Sequence, residues 1–101
     1  MSTPGAKAAG AIAREETERG GRWVWREDGA LAEMTYSRLA PDRIIVDHTS
    51  VPDVFRGRGV GLALAERMVA DARAEGTRVV ALCPFVKAQA RRHPEWADVV
   101  E

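Results

Sequence analysis

A glycine-rich segment of the sequence, FRGRGVG at positions 55–61, combines residue types that can bind an anion. Its three glycines let the backbone turn with either sign of φ and approach a ligand without a Cβ clash. A helical pattern begins on this segment, so the first helical N–H groups lack internal partners and present the positive end of the helix dipole. Arg56 and Arg58 add charges of the kind that bind phosphate. The segment therefore predicts an anion site or, more simply, a glycine-rich connection between a strand and a helix.

The two commonest nucleotide fingerprints do not fit this segment. A nucleotide P-loop ends in Gly-Lys-Ser/Thr, and no Lys-Ser/Thr pair follows here. A dinucleotide loop reads Gly-x-Gly-x-x-Gly, but leucine occupies the last position whether the count starts at Gly57 or at Gly59. The spacing that remains is Arg56-x-x-Gly59-x-Gly61, between a predicted strand and a predicted helix.

Two side chains with acid–base chemistry flank the segment, His48 and Cys83. A histidine titrates near neutral pH and can accept a proton from an ammonium group, but it can equally be a structural group bonded to a backbone carbonyl. Strand alternation places His48 on the same face as Ile44 and Val46, which predicts that it is partly buried. The Cys83 thiol can donate a proton or form a covalent adduct, whereas most free cysteines are small buried hydrophobes.

Further polar candidates follow Cys83 in the sequence. Lys87 and Arg91 are four residues apart and, with Arg92, give a predicted helix a basic side, which either meets a phosphate or is a solvated face. His93 closes that helix, where the dipole is a sufficient structural reason for it. No metal site is predicted.

The strands that position these residues are indicated by alternating apolar residues and turn signals. Residues 22–26 and 30–37 predict two strands joined by a tight turn at Asp28-Gly29. Residues 43–51 predict the strongest strand, which leads into the glycine-rich segment. Residues 12–18 fit either a helical turn or an edge strand.

The second half of the chain predicts a helix, a strand and another helix. The first helix begins at Val60 and ends at a C-cap glycine, Gly76. A short buried strand follows at 77–83, and a second helix at about 85–92. A strand–helix–strand unit implies a right-handed crossover between parallel strands. The sequence therefore predicts an α/β fold with a mixed sheet, antiparallel in its N-terminal part.

Length and composition favour one soluble domain over residues 11–101, preceded by a flexible tail at 1–10. The 15 acidic and 15 basic residues balance, so the basic excess of a nucleic-acid-binding domain is missing. No segment approaches the roughly 18 apolar residues of a membrane span, and no secretory signal is predicted. A single cysteine excludes an internal disulfide, which favours the cytoplasm.

Four segments taken in order resemble a group of very small, single-domain members of the GNAT (acetyl-CoA-dependent) N-acetyltransferase superfamily. The resemblance covers about residues 22–99. The glycine loop matches the superfamily's acyl-CoA pyrophosphate loop. The four segments are His48-Thr49-x-Val51-Pro52, Arg56-Gly57-x-Gly59-x-Gly61, Cys83-Pro84-Phe85-Val86 and His93-Pro94-Glu95.

This resemblance implies a fold, a cosubstrate and site residues. It implies a GNAT-like fold with two main helices, in which acetyl-CoA or coenzyme A binds where two parallel strands splay apart. It also implies acetyl transfer to an unidentified small-molecule or peptidyl amine, with His48 as candidate base and Cys83 as candidate acid or thiol participant. The implied cofactor-binding residues are Thr49, Ser50, Val51, Arg56, Gly57, Arg58, Gly59, Val60, Gly61, Pro84, Phe85 and Lys87.

The chain also departs from the superfamily pattern. Many GNAT enzymes carry Asn-x-x-Ala-x-x-x-Tyr on the helix after the splay, with the tyrosine as general acid. Aligned on Ala88, those positions hold Phe85 and Arg92, and the only tyrosine, Tyr36, lies in the early hairpin. A CoA-binding, thiol-redox or acyl-CoA-sensing module with little transferase activity is therefore the alternative. An RNA- or protein-binding role of the arginines is a third hypothesis, and the chain is expected to be a monomer or weak homodimer without nucleic-acid or membrane partners.

Overall fold

Five strands form one sheet in the computed structural model, which describes residues 12–101. The predicted tail at 1–10 lies outside the described residues. The strands follow one another across the sheet in chain order. They are β1 (Ile12–Thr17), β2 (Gly20–Glu27), β3 (Ala30–Ala40), β4 (Arg43–Ser50) and β5 (Arg78–Ala81). The helices are α1 (Val60–Glu75) and α2 (Pro84–Arg92), with short 3-10 turns at Asp53–Phe55 and Pro94–Asp98.

The sheet is mixed, as predicted. Strands β1 to β4 are paired antiparallel through short turns, and β4 is paired parallel to β5 through the crossover helix α1. The segment at 12–18, which fitted two elements, forms the edge strand β1. The predicted turn between β2 and β3 is confirmed, since Asp28 and Gly29 both have positive φ, at 52° and 80°.

Both helices pack against one face of the sheet. The buried side of α1, including Leu64 and Met68, joins a single core cluster with inward-facing strand residues such as Trp23 and Met34. Helix α2 adds Val86 to the same cluster. Helix α1 ends at the predicted C-cap, Gly76, which adopts the left-handed conformation at φ 70°. None of the described helices is long and apolar enough to span a membrane.

A β-bulge in β4 reverses the predicted alternation at its carboxyl end. Tyr36 of β3 is opposite Val46, but the preceding residue Thr35 is opposite His48, so Asp47 is an extra residue in β4. The expectation that His48 shares a face with Val46 and is partly buried was therefore wrong: His48 is exposed. Thr49, opposite the fully buried Met34, returns to the helix-covered face instead.

Candidate functional site

Strands β4 and β5 separate beyond Val46 and Ala81, the last residues that they pair. The carbonyl oxygen of Val46 accepts hydrogen bonds from the N–H groups of both Leu82 and Cys83, at 3.0 and 3.1 Å. Strand β4 then continues to Ser50, whereas the segment that follows β5 turns away and enters α2. This divergence shortens β5 relative to the predicted 77–83 and creates the kind of splay that the family resemblance implied.

Thr49 and Cys83 face each other across the splay. The Thr49 hydroxyl lies 3.3 Å from the Cys83 sulfur, and either atom can donate the hydrogen bond. The Cys83 side chain is buried, at 3% exposure. Pro84 holds Cys83 in an extended conformation (φ −66°, ψ 123°) and occupies the first turn of α2, where its missing N–H costs nothing. A hydroxyl and a buried thiol are therefore in contact between the two diverging segments.

The glycine loop places a set of unpaired backbone N–H groups beside the splay. Gly57 and Gly59 have φ values of 78° and 72°, which L-residues rarely adopt. The first helical bond of α1 runs from the Ala63 N–H to the Gly59 carbonyl oxygen, and no side chain caps the helix. Within the described part of the chain, no acceptor is recorded for the backbone N–H groups of Gly57, Gly59, Val60, Gly61 and Leu62.

Gly61 serves a different purpose from the other loop glycines. It is buried, and a Cβ built on it would lie 2.9 Å from Cζ of Phe85. Its missing side chain therefore lets the ring of Phe85, on α2, pack directly on the first turn of α1. Gly57 and Gly59 have open space where a Cβ would lie, so their left-handed φ, and not lack of room, accounts for the residue type.

A groove of about 410 Å³ joins these features, with the glycine loop at one end and residues of β4 and α2 along its sides. Eight residues that the sequence predicted for the cofactor line it, namely Thr49, Val51, Arg56, Gly57, Gly59, Val60, Gly61 and Phe85. Three lining residues were not foreseen: Phe55, Leu62 and Gln89. The sequence could have predicted Gln89, because it follows Phe85 by four residues on the same helix and therefore shares its face.

Four of the predicted cofactor residues are not part of this lining: Ser50, Arg58, Pro84 and Lys87. Arg58 donates to both carboxylate oxygens of Glu27 at 2.9 and 3.0 Å and lies over the ring of Phe55, so the charge has a structural partner. Lys87 lines a second groove, which Ala90 and Arg91 also line. Arg56 lies at the loop groove and, within residues 12–101, pairs only with the exposed carboxylate of Asp53.

The histidines lie away from this groove. His48 is exposed on the face of the sheet that α1 and α2 do not cover, one residue from Thr49, so its imidazole and the Cys83 thiol flank the splay from opposite faces. His93 stacks on the Trp96 ring at a centroid distance of 4.4 Å, and its Nδ1 lies 3.0 Å from a Glu95 carboxylate oxygen. These contacts are a sufficient structural reason for a histidine at position 93.

Tyr36 also lies outside this groove, with its hydroxyl bonded to other side chains. The Tyr36 hydroxyl donates to the Glu16 carboxylate and accepts from the Arg14 guanidinium. Burial and the Glu16 carboxylate raise the pKa of Tyr36 above its ordinary value. Among the described residues, no group of three or more His, Cys, Asp and Glu side chains could hold a metal ion.

Comparisons with known proteins bear on the family and the fold. The family model described as GCN5-related N-acetyl-transferase matches residues 22–99. The fold is similar to the NMR solution structure of a GCN5-like candidate N-acetyltransferase from Staphylococcus aureus, with a TM-score of 0.66 and 31% sequence identity. That similarity covers 90% of this chain and 89% of the other. Among curated protein sequences there is no match.

Proposed function

This chain belongs to the GCN5-related N-acetyltransferase family, and on that premise we propose that it binds acetyl-CoA in the loop groove and transfers the acetyl group to an amine. The observation that carries the proposal is the set of five N–H groups, in the glycine loop and the first turn of α1, that have no recorded acceptor among residues 12–101; such a set suits the CoA pyrophosphate. Arg56 adds a charge at the same end, and Phe85 supplies an apolar wall. The pantetheine arm would follow Thr49–Val51 into the splay.

Calorimetric titration of the protein with acetyl-CoA tests the cofactor assignment. We expect saturable binding of acetyl-CoA and of CoA, because the pyrophosphate and pantetheine contacts are common to both. No detectable binding of either compound would contradict the proposal. The acceptor can then be sought with a panel of small and peptidyl amines and a thiol-release assay.

Acetyl transfer requires a neutral amine and a proton for the departing thiolate. The new N–C bond forms as the C–S bond breaks, the amine proton passes to a base, and the CoA sulfur takes a proton from an acid. Cys83 is the candidate acid: it is buried and does not itself line the groove, but it is hydrogen-bonded to Thr49, which does. His48 is the candidate base, and its position requires the amine to approach from the uncovered face of the sheet.

Cys83→Ala should lower kcat about tenfold while changing the acetyl-CoA dissociation constant less than about twofold. The reason is that the thiol acts on the leaving sulfur and contributes little to the larger contact with pyrophosphate. Steady-state kinetics and calorimetry measure the two quantities, and Cys83→Ser serves as control because a hydroxyl can still donate a proton. Unchanged kcat in the alanine variant would remove Cys83 from the reaction.

His48→Gln should lower kcat/KM at neutral pH about tenfold, with less effect at alkaline pH. An exposed base competes with solvent, and an amine that is already neutral needs no base. The pH profile of kcat/KM for wild type and variant measures this, and Thr35→Val, which alters the opposite residue on β3, is the control. Equal losses at every pH would indicate a positioning role in place of proton transfer.

A CoA-binding or acyl-CoA-sensing module, including a thiol-redox one, remains the second candidate. It is favoured by Arg92, an exposed cation where many family enzymes carry a catalytic tyrosine, and by the burial of Tyr36 against Glu16. Acetyl-CoA binding that survives in Cys83→Ser, with no turnover of any amine by wild type, would support this candidate. We place the protein in the cytoplasm, as a monomer or weak homodimer, for either function.

A further inference from the structure

A second groove lies on the other side of α2 from the glycine loop, with a volume of about 400 Å³. Helix α2 forms one wall, and the 3-10 turn with the segment after it forms the other. The lining residues are Ala81, Lys87, Ala90, Arg91, Pro94, Trp96, Ala97, Val100 and Glu101. No residue is shared with the loop groove, so a ligand here would not use the proposed acetyl-CoA contacts.

The apolar part of the second groove adjoins the outer edge of β5. Residues 99–101 run parallel to this edge: the Val79 N–H donates to the Val99 carbonyl oxygen at 2.9 Å, and the Glu101 N–H donates to the Val79 oxygen at 2.8 Å. No bond of this kind is recorded for Ala81, the next outward residue of β5, in the described part of the chain. Ala81 and Val100 both line the second groove, so its apolar part lies beside this edge.

Two cations on the wall of this groove make no ion pair with a carboxylate of the described residues, which is also true of Arg19 and Arg92 elsewhere. In the described residues, ten arginines make ion pairs with carboxylates: Arg14, Arg22, Arg26, Arg38, Arg43, Arg56, Arg58, Arg67, Arg73 and Arg78. Lys87 and Arg91 have no such partner among the described residues. The lining carboxylate, Glu101, is instead engaged by Arg43 at 2.6 Å and by Arg78.

We propose that this groove docks an extended acidic peptide segment of a partner protein. Lys87 and Arg91 are four residues apart, about 6 Å along the helix axis. Alternate side chains of an extended strand are about 6.6 Å apart, so two carboxylates at positions i and i+2 can meet the two cations. An apolar side chain between them would lie on Trp96 and Val100.

The proposal is tested with two fluorescein-labelled hexapeptides, Glu-Val-Glu-Val-Glu-Val and Lys-Val-Lys-Val-Lys-Val, by fluorescence anisotropy. We expect the acidic peptide to bind and the basic one not to bind. The double variant Lys87→Gln/Arg91→Gln should weaken binding about tenfold, the loss of two charge-assisted contacts. Chemical-shift changes of the wild-type protein should include the Ala81 amide and the Trp96 indole N–H.

Arg92→Gln is the matched control, because Arg92 is an exposed cation on the same helix and does not line the groove. It should change the affinity less than about twofold, the size of a long-range screened charge effect. Saturating CoA should leave peptide binding unchanged. The proposal is overturned if wild type does not bind the acidic peptide, if Arg92→Gln weakens binding as much as the double variant, or if CoA displaces the peptide.

Discussion

Gly59→Glu should abolish acetyl-CoA binding while the protein remains folded. The substitution places a carboxylate where the N–H groups of the first helical turn face the proposed pyrophosphate site, so two anions would compete for the same donors. Like charges in contact cost several kcal/mol, and we expect affinity to fall at least about 100-fold. Calorimetric titration with acetyl-CoA measures this loss.

Gly76→Glu is a closely matched control for this substitution. Gly59 and Gly76 cap opposite ends of α1 with nearly the same backbone, φ 72° and ψ 21° against φ 70° and ψ 28°, and both have open space where a Cβ would lie. The two variants therefore carry a similar conformational penalty of about 1 kcal/mol and the same added charge. Only Gly59 is at the groove.

Thermal denaturation of both variants separates binding from folding. Cooperative thermal unfolding of both variants, with a loss of binding in Gly59→Glu alone, would support the loop as the pyrophosphate site. If both variants bind acetyl-CoA like wild type, the loop does not hold the pyrophosphate. If both lose binding equally, the effect belongs to helix α1 as a whole and the assignment of the loop fails.

Asp71→Ala should lower the free energy of unfolding by about 2 to 3 kcal/mol. The Asp71 carboxylate accepts from the indole N–H of fully buried Trp23 at 2.9 Å, from Arg67 at 3.0 Å, and lies 3.5 Å from Arg14. Its removal leaves a buried donor without an acceptor and two guanidinium groups short of a counter-charge. Urea denaturation measures the loss.

A double-mutant cycle identifies the Trp23 hydrogen bond within this effect. Trp23→Phe removes the indole N–H, so Asp71→Ala should cost about 1 kcal/mol less in that background than in wild type. Glu66→Ala is the control, because Glu66 is exposed on the same helix without a recorded partner among the described residues. It should change stability by less than about 0.5 kcal/mol. Full additivity of the two substitutions would contradict the predicted coupling.

The loop and the elements around it could be predicted from sequence because each depends on local rules. Residue type marked the three loop glycines as positions free to adopt either sign of φ, and it predicted the turn at Asp28-Gly29 and the C-cap at Gly76. Only the structure distinguishes the left-handed Gly57 and Gly59 from Gly61. The crossover from β4 to β5 follows from the order of elements and the handedness of such connections.

His48 shows where local reasoning fails. Alternation along a strand holds only while the ladder is regular, and one extra residue, Asp47, reverses every later side chain. Arg58 and Lys87 show a second limit. Their charge suggested phosphate, but the direction of a long side chain depends on distant partners such as Glu27 and on the helix face that lies in a given groove.

The sequence by itself determined the order of elements from β2 to α2, the glycine loop between β4 and α1, and the position of a thiol after β5, since these require only neighbouring residues. Tertiary structure alone decided which side chains meet. The bulge brought Thr49 to the Cys83 thiol and turned His48 to the other face, and Gly61 let Phe85 pack on the start of α1. These contacts join residues far apart in the chain. They depend on strand register and core packing, which no short sequence motif encodes.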